Sequence, residues 1–302
     1  WEGYSWFRKM DLPQRTRRRR FPRWPEEESN PSGLLVWNDQ IGIGEEVMYL
    51  GAIGQLTGRV DRVAISCSPK LQALAKRSFP HVDVTSPDLV ETNDPELGGR
   101  PSEVPLIAVI STLRQNFEEY PDHKGYLIAD RARVAALRER YRDPDRKPLI
   151  GISWSSPLGF QGGRKSVPLA EWGPVFRALD ARFISLQYHA DSVEIAEARD
   201  HHGVEIVVDP DLEVFDDLDA QAAQIAAMDR VISISSVAAH LAGALGKPVD
   251  LLYPSEIALL WYWFDGRSDS PWYPSMTIHR PSHDGDRREL MTTFAQHLGQ
   301  KT

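Results

Sequence analysis

The sequence of 302 residues predicts an α/β protein in which two parallel sheets follow one another along the chain. Three observations carry this reading. Short aliphatic, β-branched runs alternate with helix-forming stretches from residue 34 onward, the pattern of parallel strands joined by helical crossovers. The series restarts at 149 after the polar, proline-bounded segment Arg142-Asp143-Pro144-Asp145-Arg146-Lys147-Pro148. The stretch at 231–249, VISISSVAAHLAGALGKPV, holds a complete strand, cap, helix and stop.

In chain order, residues 1–30 are aromatic, then basic, then acidic, with several prolines, and read as a lead-in. Strands are expected at 34–37, 62–66 and 82–84, helices at 45–56 and 69–78, and either a strand or a short helix at 106–110. A helix at 131–141, rich in Ala, Leu and Arg, precedes the proline-bounded segment. The second series places strands at 149–154, 182–187, 205–208, 231–234 and 249–253. Its helices fall at 169–179, 190–201, 218–228, 237–245 and 287–298, and 155–166 reads as a mobile Gly- and Ser-rich loop. The expected division is a lead-in at 1–30, a first lobe with its linker helix at 31–145, a second lobe at 146–285 and a C-terminal helix at 286–302. Two such sheets in succession lead us to expect a ligand cleft between them, at the carboxyl ends of strands.

Composition narrows the class. With 26% charged and 41% hydrophobic residues the chain has an ordinary soluble balance, and no apolar run approaches the ~20 residues of a membrane span. The opening WEGYSWFRKM lacks the apolar core of a signal peptide, and the missing initial methionine suggests a piece of a longer chain. Cys67 is the one cysteine, which excludes an internal disulfide or multi-cysteine metal site and fits a cytoplasmic location. A net charge of −8 argues against a general nucleic-acid binder. The run Arg17 to Arg20 is a local exception, either a solvated linker or a contact for an acidic lipid or partner.

Three loops carry chemistry. The first, Asp39-Gln40-Ile41-Gly42-Ile43-Gly44-Glu45-Glu46, joins the first strand to the first helix. Gly42 and Gly44 permit a tight turn, and both acids favour the helix dipole. It reads either as a plain helix start or as a site where Glu45 acts as a general base. The second, Ser153 to Ser166, is rich in glycines and hydroxyls and carries Arg164 and Lys165, suited to neutralising a phosphate. Its plain alternative is a surface loop with solvated basic tips, and its lysine spacing is not that of a Walker loop. The third is Ser235-Ser236-Val237, opening the helix that contains His240. Free N–H groups at such a terminus hold anions, while an ordinary strand–helix unit explains the same residues. His240 is then either a packed core histidine or a ligand contact. His81, His189, His201 and His202 show no metal-ligand spacing.

With these loops in place, the chain resembles the GT-B glycosyltransferase-like domain found after tetratricopeptide repeats in bacterial proteins, related to the ADP-heptose:lipopolysaccharide heptosyltransferases. The matching segments are VWNDQIGIGEEVMY, GYLIADRARVAALRERY, GISWSS, ARFISLQY, AAQIAAMDRVISISS, AHLAGALGKPV and SPWYPSM, together spanning about 30–298. The opening WEGYSWFRK looks like the closing helix of such a repeat region. The resemblance implies two facing Rossmann-like lobes, with the acceptor on the first and a nucleotide-sugar donor on the second. It places the family's Gly-Asp loop on Gly44-Glu45, its basic residue on Arg164 or Lys165, and its Asp-Thr-x-x-x-His helix start on Ser235-Ser236-Val237-Ala238-Ala239-His240. Two departures stand out: the family aspartate is Ser235 here, and the Trp that follows Lys-Pro-Val is Asp250.

The implied reaction is metal-independent, inverting transfer of a sugar to an acceptor hydroxyl, with a protein such as flagellin as a candidate acceptor. Glu45 is the base, and the donor contacts are Ser153, Arg164, Lys165, Gln187, Tyr188, Ser235, Ser236, Val237 and His240. Asp39, Gln40, Gly42 and Gly44 form the acceptor-side loop. No cofactor is expected. The alternatives are a catalytically inactive module that binds a nucleotide sugar or serves as a scaffold, and a GT-B sugar epimerase with additional acids in the cleft.

Overall fold

Ten parallel strands among the described residues form two separate sheets, in a computed structural model that describes residues 21–38, 41–86, 97, 99–156, 159–255 and 260–299, with the side chains of 159–161 excepted. Contacts divide the chain into one unit at Trp1–Pro121 and another at Asp122–Thr302. Residues 1–20 of the lead-in, the Arg17 to Arg20 run among them, lie outside the described residues.

In the first unit the sheet has the order β3-β2-β1-β4, with β1 Gly33–Trp37, β2 Arg62–Ser66, β3 Asp83–Thr85 and β4 Pro101–Pro105. Leu34, Leu35 and Val36 of β1 are all buried, as a strand covered on both faces requires. The helix expected at 45–56 is two pieces, α1 Ile43–Leu50 and α2 Ile53–Leu56, separated by Gly51 and Ala52. Next come α3 Gln72–Ser78 and α4 Leu106–Leu113. The ambiguous 106–110 run is thus helix, and the strand lies just before it. Prolines at both ends hide β4 from a propensity reading, and they are tolerated because it is a short strand at the side of the sheet.

The second sheet has the order β10-β9-β8-β5-β6-β7: β5 Leu149–Ser153, β6 Arg182–Ser185, β7 Ile206–Val207, β8 Arg230–Ile234, β9 Val249–Leu252 and β10 Met276–His279. Numbered within the unit this is 3-2-1-4-5-6 read from the β7 side, the doubly wound dinucleotide-fold order, with its switch point between β5 and β8. The helices are α5 Arg131–Tyr141, α6 Gly159–Lys165, α7 Gly173–Ala178, α8 Ser192–His202, α9 Leu218–Ala227, α10 Val237–Ala244 and α11 Arg287–Gly299. Aspartates cap three of them: Asp130, Asp191 and Asp217 accept from Arg133, Val193 and Ala220 N–H at 2.8, 2.8 and 2.9 Å. The segment read as a mobile loop at 155–166 contains α6.

The boundary expected near 145 falls instead after Pro121. Helix α5, read as the tail of the first lobe, packs on α9 of the second unit. Tyr141 donates to buried Asp209 at 2.7 Å, Gln224 donates to the Tyr141 hydroxyl at 3.2 Å, and Arg138 donates to the Ala227 carbonyl at 2.7 Å. Upstream of α5, Tyr126 and Leu127 N–H groups both donate to the Ala244 carbonyl, at 2.8 and 3.0 Å. Gly246 has φ +71°, and a Cβ there would stand 2.0 Å from the Lys124 carbonyl oxygen, so only glycine lets these segments meet.

The departure at Asp250 has a structural partner set. Asp250 is buried in β9, where Arg230 of β8 and His279 of β10 both hydrogen-bond its carboxylate, His279 Nε2 at 2.9 Å. Burial alone would push the carboxyl up, but these two partners outweigh it and hold Asp250 below the ordinary carboxylate range.

Candidate functional site

Strand β5 ends at Ser153 and strand β8 at Ile234, so their carboxyl ends flank the switch point of the second sheet. Three hydroxyls meet there. Ser236 Oγ lies 3.3 Å from Ser153 Oγ and 3.0 Å from Ser233 Oγ, and Ser233 Oγ donates to the Ile234 carbonyl at 2.8 Å. Ser153 and Ser233 are buried, while Ser236 is half-buried. Ser236 is the N-cap of α10, with extended backbone (φ −140°, ψ 171°), and its side chain makes no capping bond. Its carbonyl receives the N–H groups of Ala239 and His240 at 3.1 and 3.3 Å. The N–H groups of Val237 and Ala238 have no partner among the described residues. Unpaired amides, a helix dipole and a half-exposed hydroxyl are groups that can serve as a small anion cradle.

The loop after β5 is tied down around it. Gln187 is buried; its carbonyl oxygen accepts from the N–H groups of Trp154 and Ser155, both at 3.1 Å, and from Ser153 Oγ at 3.2 Å. Its amide donates to the carbonyls of Ser155 and Tyr188 at 2.9 and 3.1 Å. Further along, Ser156 N–H donates to Ser166 Oγ at 2.9 Å, and Ser166 Oγ donates to the Gly162 carbonyl at 2.7 Å. Arg287 of α11 donates to the Gly163 carbonyl at 2.5 Å. Arg164 and Lys165 end α6; Arg164 is half-exposed, whereas Lys165 is buried.

Next to Gln187 in the chain, Tyr188 forms an aromatic group with His189 and Phe215, the ring centroids 5.4 to 5.7 Å apart. Phe215 is 46% exposed, so this group presents an apolar ring to solvent. His189 has φ +52°, which is strained for a residue with a side chain. Partial burial raises the Tyr188 phenol above its ordinary value.

Three of the residues expected to touch a donor are engaged elsewhere. Gln187 uses both ends of its amide to hold backbone. Ser235 is buried, and its hydroxyl accepts from Trp263 Nε1 at 2.9 Å. His240 is buried against the Trp263 ring at 5.0 Å, and its Nδ1 is paired with the Tyr273 hydroxyl at 2.9 Å. Burial, reinforced by the Lys165 ammonium, pushes the imidazole down to about 3, so it is neutral. It packs in an aromatic layer with Tyr262, Trp263 and Tyr273. A Cβ at Gly243, one turn on, would stand 2.4 Å from the Tyr273 ring, so the aromatic layer sits directly on α10. The residues missed from sequence are Ser233 and the Phe215 and His189 rings. Alternation along β8 was the available signal for Ser233, which shares the side of the strand opposite Ile232 and Ile234.

In the first unit, Asp39 and Gln40 lie outside the described residues. Gly42 is the N-cap of α1, and its N–H donates to Glu45 Oε2 at 3.3 Å. Glu45 and Gly44 are half-buried in the first turn, where the acid was expected. Glu46 turns inward and is fully buried.

No family model matches the chain. Protein FlbA of Caulobacter vibrioides is 30% identical over 267 residues, covering 84% of this chain and 44% of FlbA, so the chain spans less than half the length of this curated relative. Two solved structures resemble it in fold. A glycosyl transferase of family 9 from Veillonella parvula superposes with a TM-score of 0.62 at 12% identity, covering 90% of this chain and 98% of that one. The E. coli ADP-heptose LPS heptosyltransferase II gives 0.59 at 13%, covering 89% and 99%. At such identities the likeness establishes a shared fold. Among the described residues, no helix is long and apolar enough to cross a membrane, and no group of three or more His, Cys, Asp or Glu side chains is placed to hold a metal.

Proposed function

We propose that this chain is a glycosyltransferase of the GT-B type that moves a sugar from a nucleotide-sugar donor to an acceptor hydroxyl with inversion. The observation that supports it most is the anion cradle: Ser153, Ser236 and the unpaired Val237 and Ala238 amides at the switch point of a doubly wound sheet. The fold shared with an ADP-heptose transferase adds to it.

In this reading the donor's diphosphate lies against Ser236 and the start of α10. As the anomeric C–O bond breaks, the electron pair and a negative charge pass to the departing phosphate. Fixed N–H dipoles and the Arg164 and Lys165 cations then bind it more tightly than they bound the donor. Those groups supply the electrostatic work, so the scheme calls for no metal. The nucleobase stacks on the Tyr188 and Phe215 rings. Gln187 contributes by fixing Trp154 and Ser155, not by touching the donor. Glu45, whose carboxylate is oriented by the Gly42 N–H, takes the proton of the acceptor hydroxyl as its oxygen attacks the anomeric carbon. The acceptor is a hydroxyl on a protein, flagellin being the example, in a cytoplasmic, tetratricopeptide-linked enzyme.

The test is a thermal-shift screen with UDP-, GDP-, ADP- and CMP-sugars, followed by assay of donor hydrolysis. Stabilisation by one donor together with its turnover fits the transferase. A second reading, an inactive nucleotide-sugar-binding module, is favoured by Ser235: a serine held by Trp263 stands where the family's aspartate was expected. Stabilisation without turnover in the presence of any hydroxyl acceptor fits that module. No stabilisation by any nucleotide sugar rejects both.

A further inference from the structure

Glu46 follows the residue assigned as base but faces the other way. It is 0% exposed, lodged between the ends of β1 and β2. One carboxyl oxygen, Oε1, accepts the Ser68 N–H at 2.7 Å. The other, Oε2, is buried with no hydrogen-bond partner among the described residues. The Asn38 amide, just past β1, is close enough to act on this carboxyl, and Asn38 Oδ1 is likewise buried without a partner. Two buried acceptors lacking a donor cost free energy wherever water cannot reach them. A proton on Oε2, donated to Asn38 Oδ1, removes both defects at once, because a protonated carboxyl is a donor and an acceptor together.

We infer that Glu46 is a positioning residue for Glu45: carrying a proton on Oε2, it pins the first turn of α1 to Asn38 and Ser68, and losing that proton loosens the turn. As a statement about catalysis this rests on the reading of Glu45 as the base; as a statement about α1 it stands alone. Burial is the dominant influence on Glu46 and raises it from 4.5 to about 7, with hydrogen bonds to the ionised form from the Ser68 N–H and, when it presents its nitrogen, the Asn38 side chain pulling the other way. Among the described residues no charged side chain acts on it. Cys67, beside it after β2, is a neutral thiol pushed up to about 12 by burial first and Glu46 second, and Lys76 of α3 bears on Cys67. The sign follows. A carboxyl raised in the folded state binds its proton more tightly there than in the unfolded chain. Its contribution is therefore full below 4.5 and declines as pH rises from 4.5 to about 7. The decline amounts to about 300-fold in the folding equilibrium.

Glu46→Gln tests this, because the amide keeps the acceptor for Ser68 and supplies a permanent donor toward Asn38. Denaturant unfolding of both proteins from pH 4 to pH 8.5 should show the Gln variant gaining on the wild type by up to about 300-fold as pH rises. Hydrogen exchange should show residues 42–50 of the wild type opening more readily above pH 7, corrected for intrinsic exchange, and the variant not. Parallel pH dependence in the two proteins overturns the inference; it is the result expected if the carboxyl stays ionised and Asn38 presents its nitrogen instead. Should the variant not fold, carbon-13 titration of the wild-type Glu46 carboxyl decides: a midpoint near 4.5 overturns it, one near 7 upholds it. If turnover is found, its decline at alkaline pH should be absent from the variant. Lack of turnover in every protein would reject the transferase reading and leave the exchange and unfolding results to judge α1.

Discussion

Val237→Pro isolates one atom of the cradle. Val237 is the first residue of α10, the one helical position where proline is readily accommodated, since its missing N–H breaks no intrahelical bond. The residue before it must be extended for proline to follow, and Ser236 already is, at φ −140° and ψ 171°. The substitution therefore removes one unpaired N–H while the helix keeps its start, its dipole and the Ala238 amide. A hydrogen bond to a charged group contributes about 1.5–3 kcal/mol. The dissociation constant of a nucleoside diphosphate should accordingly rise by about 10- to 150-fold. Calorimetric titration with ADP, GDP and UDP measures it, with Val237→Ala as the control for the half-buried side chain. The variant should unfold at the temperature of the wild type. Unchanged binding in the proline variant, with folding intact, would refute the placement of phosphate on the α10 terminus.

Glu45→Gln should abolish transfer while leaving donor affinity unchanged, read by product formation beside donor titration; full activity removes Glu45 as the base. Tyr188→Ala with Phe215→Ala together should weaken nucleotide binding by about 1–3 kcal/mol, the contribution of one base stacked on aromatic side chains, while free phosphate binds as before. Asp250→Ala should destabilise the second unit by about 3–5 kcal/mol, because Arg230 and His279 lose their shared buried partner. Since Asp250 is held below its ordinary value, its contribution is present above the unfolded carboxylate range and lost as pH falls through the lowered value. Asp250→Asn should correspondingly flatten the acid side of the stability profile in denaturant titrations.

The alternation of strands and helices, and hence two parallel sheets, was legible because periodicity, caps and stops are local properties of a few adjacent residues. So was the 231–249 junction: its β-branched run, its serines and the Gly246 stop make a strand, a turn and a helix wherever they are placed. Elements whose local chemistry points elsewhere were missed, as with β4 between two prolines, or divided wrongly, as with α5, whose unit depends on Asp209 and Gln224 far along the chain. The site divides in the same way. The sequence by itself determined that Ser235 and Ser236 stand between a strand and a helix. Only the tertiary structure decided that Ser235 turns to Trp263, 28 residues away, while Ser236 meets Ser153, 83 residues away. It likewise decided that of two adjacent acids Glu46 is buried and Glu45 is not. Local sequence sets which side of an element a residue occupies; what waits on that side depends on strand register and on side chains brought from distant parts of the chain.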